Sequence, residues 1–490
     1  MGGSIAQQKW SCQHLKFTRT HDIISTMSIP ALRKYQANII DEARSLMHQG
    51  HRAVLIQAPT GSGKTLLTAY MIKKAMFKDM RAWFIVHRRE LIKQSVDAFN
   101  LCEIKHGLIA SGMPANKSRN IQIASIQTLI KRHNQYQAPN LIAWDESHHI
   151  RARSWQRLFE LYPETFHIGL TATPQRMDGS GLGTCFSKMV SGPTVEWLID
   201  NGYLAKYKLF APTTINLSGV HSRMGDYVQS ELASILDKPT ITGDAINHYR
   251  KHCDGMQAVA FCVSIEHSKH VAEQFNSCGI KAAHVDGTTK TSHRDNTIQS
   301  FRQGHIKVLT NVDLFGEGFD LPTLEVSILL RPTKSLAVYL QQCGRCLRPS
   351  PGKEYAIILD HANCSAMHGL PCDHREWSLN SSPRKGRGEP SVVHIKGCPR
   401  CFAVARATHD ICPECGYVYD KKPREVDHVD GELQEVDVKA VKDMRLVEQG
   451  NCHTFEDLVA LGRKRKYKRP YLWAKHVWNS RKRREMQSQE

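Results

Sequence analysis

The 490-residue sequence contains no apolar run long enough to span a membrane, and residues 1–26 lack the apolar segment of a secretory signal peptide. It also lacks a disulfide pattern, because its 15 cysteines are an odd number scattered along a long chain. These absences argue against a membrane protein and a secreted disulfide scaffold, and they predict a reducing compartment.

Acidic residues are scarce, because 47 Asp and Glu stand against 66 Lys and Arg, which gives a net charge of +19. A basic excess of this size predicts a polyanionic partner, most often nucleic acid. The alternative is an effect on solubility alone. Clustering of the basic residues near the C-terminus favours the polyanion.

Residues Ala58–Thr65, with the sequence Ala-Pro-Thr-Gly-Ser-Gly-Lys-Thr, predict a phosphate-binding loop. The apolar run Ala53–Ile56 indicates a buried strand before the loop, and Leu66–Ile72 indicates a helix after it. A glycine-rich turn in this context points consecutive N–H groups at a phosphate, where the helix start adds partial positive charge. The alternative is an ordinary glycine-rich turn, and Ala58 does replace the first glycine of the general pattern. The positions expected to bind a nucleoside triphosphate are Pro59, Thr60, Gly61, Ser62, Gly63, Lys64 and Thr65.

The chemistry expected at this loop needs a cation and an activated water. Lys64 would neutralise the β- and γ-phosphates, and the Thr65 hydroxyl would bind Mg²⁺. Asp145 and Glu146 directly follow the strand pattern Leu141–Trp144. Carboxylates at the carboxyl end of a buried strand lie where open parallel sheets bind ligands. We therefore expect Asp145 to hold Mg²⁺ through water and Glu146 to polarise the attacking water.

These motifs resemble, in their order, those of the superfamily 2 helicases and translocases over most of residues 30–362. The matching segments are motif I at Gly61–Thr65, motif II at Asp145–His148 and motif III at Thr171–Thr173. Ser147 departs from the commoner Ala or Cys in motif II, where a small residue suffices. Arg33 and Gln36 match the adenine-reading Q motif, so the resemblance implies that both contact ATP; a surface glutamine is the alternative for Gln36.

A second half with the same alternation of strands and helices follows a poorly patterned stretch at 202–243. Its strands are predicted at Ala258–Val263, Ala282–Val285, Ile306–Thr310, Val326–Leu330 and Tyr355–Leu359. The resemblance implies that this half is a second domain of the same kind.

The second half carries two more segments of the family pattern. Asn311–Asp320 resembles motif V, and Gln341–Pro349 resembles motif VI. The residues implied to complete the ATP site are Gly318 and Asp320 in motif V and Gln341, Arg345 and Arg348 in motif VI. Because the arginines would come from the second domain, hydrolysis would be coupled to domain closure. The alternative for Arg348 is an ordinary surface arginine.

Further segments resemble the RadD-type DNA-repair helicases and their phage relatives. They are Arg176–Gly179, Asn311–Phe315, and His368–Pro371 together with Arg375–Trp377. This resemblance implies DNA as the substrate and a zinc module after the motor, that is, after the two halves of the chain that carry the helicase motifs.

Two Cys-x-x-Cys pairs follow the motor, Cys398 with Cys401 and Cys412 with Cys415, and ten residues separate the pairs. Four thiolates at this spacing can enclose one tetrahedral Zn²⁺ in a small zinc ribbon. No open position is left for water, so the metal is expected to be structural. Free buried cysteines are the alternative.

The C-terminal stretch Arg463–Arg484 holds eleven Lys or Arg and no acid, and its aromatic residues are Tyr467, Tyr471, Trp473 and Trp478. Basic groups would follow phosphates while the aromatic side chains stack on bases. A solvated charged helix is the alternative.

We predict an α/β protein with two RecA-like parallel-sheet domains of the P-loop NTPase type, a zinc ribbon and a basic C-terminal region. The predicted divisions are a disordered extension at 1–27, RecA-like domains at 28–200 and 201–362, a linker at 363–391, the zinc ribbon at 392–420, an acidic linker at 421–440 and a basic nucleic-acid-binding region at 441–490.

The expected function is an ATP-dependent DNA helicase or translocase in repair, recombination or replication, with ATP, Mg²⁺ and structural Zn²⁺. The expected partners are single-stranded or branched DNA and a single-strand-binding or repair protein, and no oligomeric state follows from the sequence. The alternatives are a double-strand DNA translocase that does not unwind and an ATP-gated nucleic-acid sensor or adaptor. An RNA helicase is disfavoured by the RadD resemblance. The expected location is the cytoplasm of a bacterial or phage-infected cell, at the nucleoid.

Overall fold

The structure of the chain is a computed structural model. It describes residues 31–150, 152–175, 181–211, 222–223, 226–227, 239–315, 321, 323–380, 395–419, 448–449, 451–465, 467 and 470–487. The predicted features that lie outside the described residues are the extension at 1–27, Arg176–Gly179, Gly318, Asp320, the 381–391 part of the linker and the acidic linker at 421–440.

The first half of the chain forms a seven-stranded parallel sheet in the order β3-β4-β2-β5-β6-β1-β7. The strands are β1 (Ala53–Gln57), β2 (Ala82–Val86), β3 (Gly107–Ile109), β4 (Ile121–Ser125), β5 (Leu141–Trp144), β6 (Phe166–Thr171) and β7 (Lys188–Ser191). The helices are α1 (Lys34–His48), α2 (Lys64–Met76), α3 (Arg89–Leu101), α4 (Ile126–Arg132), α5 (Arg153–Glu160) and α6 (Val195–Asp200). β2 and β5, in the middle of the sheet, are apolar and buried along their whole length, as is typical of parallel strands covered on both faces.

The second half forms a six-stranded parallel sheet in the order β12-β13-β11-β14-β15-β8. Its strands, with a separate short antiparallel pair β9–β10, are β8 (Lys206–Phe210), β9 (Ser222–Arg223), β10 (Asp226–Tyr227), β11 (Ala258–Phe261), β12 (Ala282–Val285), β13 (Val308–Asn311), β14 (Val326–Leu329) and β15 (Tyr355–Asp360). The helices are α7 (Pro239–Cys253), α8 (Ile265–Ser277), α9 (Thr291–Arg302), α10 (Leu336–Cys346) and α11 (Cys364–His368). The predicted fold class of two parallel-sheet RecA-like domains is confirmed.

Within the two parallel sheets, three strands were not predicted from the sequence, and all three lie at sheet edges. β3 and β7 flank the first sheet, and β8 flanks the second, inside the stretch described above as poorly patterned. An edge strand has one open side, so β7 and β8 carry lysines and a mixed burial pattern. β3 is only three residues long. Their signals in the sequence are correspondingly weak.

A small antiparallel pair, β16 (Ile395–Gly397) and β17 (Val404–Arg406), follows the second sheet. Among the residues that the structure describes, none belongs to a helix that is both long and apolar enough to cross a membrane.

Among the described residues of the C-terminal unit, Asp420–Glu490, α12 (Phe455–Lys464) and α13 (Pro470–Gln487) form a helical hairpin. Thr454 and Asp457 exchange backbone and side-chain hydrogen bonds of 3.1 and 2.9 Å, which form a capping box at the start of α12. The small apolar core of the hairpin contains Cys452, Leu458, Leu461 and Ala474.

The tryptophans of the hairpin are half-buried against its apolar core, and their stacking on bases stays a prediction. The Trp473 ring lies 3.0 Å from the position of a Cβ on Gly462, so the two helices approach closely at that glycine. Trp478 packs edge-to-face on Phe455, with ring centroids 6.3 Å apart. Of the four aromatic residues predicted to stack, Tyr471 is the most exposed, at 60%.

We predict that Leu458→Ala unfolds the hairpin, because Leu458 is fully buried in a core of only a few side chains. Replacing a buried leucine by alanine lowers the free energy of unfolding by about 2–5 kcal/mol. We expect this loss to exceed the stability that so small a core provides. Hydrogen exchange in the full chain should show lost amide protection across α12 and α13. The control Leu472→Ala removes a leucine that is 54% exposed and should leave protection intact.

Candidate functional site

The phosphate loop has a backbone that only glycine adopts readily. Gly61 and Gly63 have φ of 86° and 82°, in the left-handed region. A Cβ on Gly63 would lie 2.7 Å from Nε2 of Gln36, and a Cβ on Gly61 would lie 2.8 Å from Cδ2 of Leu204. Both conformation and packing therefore require glycine at these positions.

The beginning of α1 is hydrogen-bonded directly to this loop. The Tyr35 hydroxyl and Gln36 Nε2 both donate to the Ser62 carbonyl, at 2.7 and 3.0 Å. The Arg33 guanidinium donates to the Tyr35 hydroxyl at 3.2 Å and lies 4.7 Å from the ring centroid of Tyr203. The residues predicted to read adenine thus form one polar and aromatic cluster beside the phosphate loop.

Lys64 and the two predicted acids lie together at the carboxyl end of the first sheet. Lys64 Nζ donates to the carbonyls of Ala58 and Pro59, at 3.2 and 3.5 Å. Burial lowers the pKa of Lys64, and the carboxylates of Glu146 and Asp145 oppose this effect. Thr65 follows Lys64 in the first turn of α2.

Negative charge accumulates at the end of β5. Asp145 and Glu146 are each only 7% exposed. Burial raises the pKa of Asp145, the adjacent Glu146 carboxylate raises it further, and the Lys64 ammonium lowers it. Glu146 Oε2 is buried and accepts no hydrogen bond from the described residues. Two crowded, buried carboxylates fit a site that would hold Mg²⁺ and an attacking water.

Motif II contacts motif III through a histidine. His148 Nδ1 lies 3.4 Å from Glu146 Oε2 and 3.2 Å from the Thr171 hydroxyl. Ser147 is fully buried and donates to the Leu170 carbonyl at 3.0 Å, so this departure from the family pattern is accommodated by a hydrogen bond. The strand ends of β5 and β6 are thereby fixed relative to each other.

The helix α10 of the second sheet packs against the phosphate loop of the first. A Cβ on Gly344 would lie 2.7 Å from Cβ of Thr60, and one on Gly61 would lie 3.7 Å from Cγ of Arg348. The two halves of the chain therefore meet at the site itself.

The motif VI residues lie in and just after α10. Gln341 and Arg345 are 3% and 5% exposed. The charges of Arg345 and Arg348 act to lower the pKa of Lys64, which places both arginines in the same charged cluster. Burial lowers the pKa of Arg348 to about 10, so it still carries its charge at neutral pH.

Several residues at this site were not identified from the sequence. Lys353 Nζ donates to the carbonyls of Leu324, Cys346 and Arg348, at 2.5, 2.5 and 2.7 Å, and so fixes the end of α10. Tyr203 and Lys353 stand alone in the sequence, with no spacing that marks them. Their contribution becomes visible only in the folded chain, where Tyr203 lies against Arg33 and Lys353 binds the end of α10.

The four cysteines after the motor converge. Their Sγ atoms all lie within 4.8 Å of one another, with Cys398 to Cys415 at 3.6 Å and Cys401 to Cys412 at 3.7 Å. Sulfur ligands at about 2.3 Å from a tetrahedral Zn²⁺ lie about 3.8 Å apart, whereas a disulfide is about 2 Å long. The cluster has the dimensions of a structural zinc site.

The ribbon that carries this cluster is docked on the edge of the second sheet. The Ala211 amide donates to the Phe402 carbonyl at 3.1 Å, and the Lys208 ammonium lies 2.6 Å from the Glu414 carboxylate. Cys398 and Cys412 are buried in one apolar cluster that also contains residues of α7. The ribbon thus shares its core with the second sheet.

Two family models match the chain. Residues 29–176 match the family described as type III restriction enzyme, res subunit. Residues 240–350 match the helicase conserved C-terminal domain. The two matches fall on the two parallel sheets.

Curated relatives extend the likeness over most of the motor. A protein of a Lactococcus phage (isolate 7-9), named only by its mass of 51.5 kDa, is 37% identical over 79% of this chain and 83% of its own. IRC3 of Saccharomyces cerevisiae, by name a candidate ATP-dependent helicase, is 30% identical over 69% of this chain. The chain spans only 52% of that yeast protein. The DNA 3'-5' translocase XPB2 of Sulfurisphaera tokodaii is 24% identical over 67% of this chain and 80% of its own.

Among solved structures, a fragment of a candidate HsdR subunit of a type I restriction enzyme from Vibrio vulnificus has a TM-score of 0.55 at 22% identity. The match covers 71% of this chain and 68% of the other. At this identity the likeness establishes the fold alone.

We predict that the chain binds about one Zn²⁺ and that Cys398→Ser abolishes this binding, because four thiolates complete a tetrahedral site. Since Cys398 shares a core with α7, amide protection should fall in α7 as well as in the ribbon. Metal analysis and hydrogen exchange measure the two effects. The control Cys185→Ser changes a half-buried cysteine outside the cluster and should alter neither. Zinc-free protein from a preparation without chelator would contradict the prediction.

Proposed function

The chain belongs to the superfamily 2 helicases, and we propose that it is an ATP-driven motor that moves along DNA. The observation that carries this proposal is the composite site, in which α10 of one sheet packs on the phosphate loop of the other. A cycle of ATP binding and hydrolysis at such a site would alternately close and open the two sheets.

In the proposed cycle the first sheet binds the nucleotide. The loop amides and Lys64 would hold the β- and γ-phosphates, and Thr65 and Asp145 would hold Mg²⁺, which neutralises phosphate charge when bound. Glu146 would orient and polarise the attacking water. Arg33 and Gln36 would contact the adenine edge.

The second sheet would supply the charge that completes the reaction. In phosphoryl transfer, negative charge spreads over the transferred group in the transition state, and positioned arginines stabilise it. Arg345 and Arg348 would do this only while α10 rests on the phosphate loop. ATP would therefore be hydrolysed only while the two sheets are closed on each other, and release of the products would allow the sheets to separate.

DNA is proposed as the track on three grounds. The relative from Sulfurisphaera tokodaii is named a DNA translocase, and the matched family and fold neighbour are restriction-enzyme subunits. The net charge of +19 suits a polyanion. The sequence resemblance to RadD-type proteins supports a role in DNA repair, with single-stranded or branched DNA and a single-strand-binding or repair protein as partners.

A second candidate function, translocation on duplex DNA without strand separation, is favoured by the likeness to restriction-enzyme motors. The two functions differ in one product. A helicase releases a labelled strand from a tailed duplex, whereas a duplex translocase displaces a third strand from a triplex and leaves the duplex intact.

We predict that DNA stimulates ATP hydrolysis and that RNA of the same sequence stimulates it less. The measurement is steady-state phosphate release with single-stranded DNA, duplex DNA and RNA in parallel. Equal stimulation by RNA would contradict the proposed track. Turnover near zero together with tight, ATP-gated binding would instead identify a nucleic-acid sensor.

We predict that Arg345→Ala and Arg348→Ala each lower kcat by about 10³ or more, with little change in ATP affinity. Their contribution is made to the transition state, while ground-state contacts to ATP come from the first sheet. The control Arg302→Ala removes an exposed arginine of α9 and should leave kcat unchanged. If ATP binding collapses while kcat survives, the arginines are ground-state ligands.

A further inference from the structure

Residues 368–380, here called the strap, follow the second sheet and carry a sequence motif that the proposed ATP chemistry does not use. At its beginning the strap is bound to the second sheet. The Tyr339 hydroxyl, on α10, donates to the Gly369 carbonyl at 2.9 Å, and His368 stacks on the Tyr339 ring with centroids 5.3 Å apart. The Tyr207 hydroxyl, on β8, donates to Cys372 Sγ at 3.0 Å. The strap thus contacts the helix that carries Arg345.

At its other end the strap is bound to the first sheet. The Gly183 amide donates to the Leu379 carbonyl at 2.8 Å. Leu379 packs on the apolar cluster that contains Leu182 and Phe186. A Cβ on Gly181 would lie only 2.1 Å from the Leu379 carbonyl oxygen, so the strap backbone fits directly against this glycine.

Between its two ends the strap is held in one shape by Arg375. Its guanidinium donates to the carbonyls of His368, Leu370 and Asp373, each at 2.9 Å. The Asp373 carboxylate in turn accepts from the Leu370 amide at 2.7 Å. A bidentate arginine with several backbone acceptors makes a rigid loop, because each bond fixes a different part of the same turn.

The strap closes one side of a cavity of about 440 Å³ between the two sheets. Pro59 and Thr60 of the phosphate loop, Gly344 and Leu347 of motif VI, and Trp377 of the strap all line this cavity. The strap therefore runs alongside the contact between α10 and the phosphate loop, and it is bound to the structure on both sides of that contact.

We propose that residues 368–380 position the motif VI arginines for ATP hydrolysis by docking on both sheets and holding α10 against the phosphate loop. This inference rests on the proposed ATPase function. Opening of the two sheets would have to release the strap from one of them. The Gly181 and Gly183 side is the expected point of release, because Leu379, which anchors the strap there, is only partly buried, whereas Tyr339 on the other side is fully buried.

The test uses the full chain with Gly181→Ala, whose new Cβ would collide with the strap backbone at Leu379 and Asn380. We expect kcat to fall about tenfold while KM for ATP changes less than twofold, because the ATP contacts of the first sheet remain. Gly183→Ala should act in the same direction but more weakly, since its Cβ would lie 3.1 Å from the same carbonyl oxygen. The control Gly287→Ala places a Cβ where no atom lies within 4 Å, and it should behave as the parent chain.

A second measurement does not depend on turnover. Small-angle X-ray scattering with a non-hydrolysable ATP analogue should give a larger radius of gyration for Gly181→Ala than for the parent chain and the control. If Gly181→Ala fails to fold, Leu379→Ala takes its place. This variant removes the apolar anchor on the strap side and should also have a larger radius of gyration than the parent chain. Parental kcat and scattering in these variants would overturn the inference, and so would a loss of kcat matched by a rise in KM. A parent chain without ATPase activity would refute the proposed function, while the scattering would still test the strap.

Discussion

The close packing of Gly344 on Thr60 is the contact on which the rest of the structure depends. Any side chain at position 344 would push α10 away from the phosphate loop, since a Cβ there already lies 2.7 Å from Thr60. That distance determines whether Arg345 and Arg348 share a charged cluster with Lys64. In a site shielded from water, electrostatic interactions are strong at short range and fall as the separation grows. A small movement of one helix would therefore be enough to switch the proposed chemistry on or off.

Two buried acids and three basic side chains gather around the phosphate loop. Asp145 and Glu146 crowd each other at the end of β5, and the pKa of Asp145 is raised for that reason as well as by burial. Burial also lowers the pKa of Lys64 and of Arg348. Buried charges of this kind are costly unless they are paired. A magnesium-bound triphosphate presents a cation to the two carboxylates and an anion to the basic side chains. Its binding would therefore lower the electrostatic cost of burying both sets of charges.

The sequence predicts the ATP-site motifs and the interior strands better than it predicts the edge strands and the contacts between distant segments. The phosphate loop, the acids and the arginines belong to short motifs whose spacing identifies them, and the interior strands are continuous apolar runs. The edge strands β7 and β8 are not predicted because they carry exposed lysines, and β3 is not predicted because it has only three residues. Trp473 and Trp478 are predicted to stack on bases because they alternate with basic residues, and the sequence pattern gives no sign that both also pack half-buried against the core of a hairpin that begins at Cys452. The strap at 368–380 was recognised as a motif, but its two attachments join residues far apart in the sequence, and no local pattern encodes them.

The two halves of the motor are joined by links of unequal strength, and this inequality indicates how they would separate. The ribbon docked on the second sheet reaches α6 of the first through Arg406 and Glu196, 3.1 Å apart and about half exposed. An ion pair as exposed as this contributes about 0–1 kcal/mol, and salt screens it further. The strap is attached instead through a backbone hydrogen bond, a leucine in an apolar cluster and a fit against glycine that admits no Cβ. Resistance to opening would therefore come from the strap and from the Gly344 contact, whereas the ribbon would follow the second sheet, with which it shares its core.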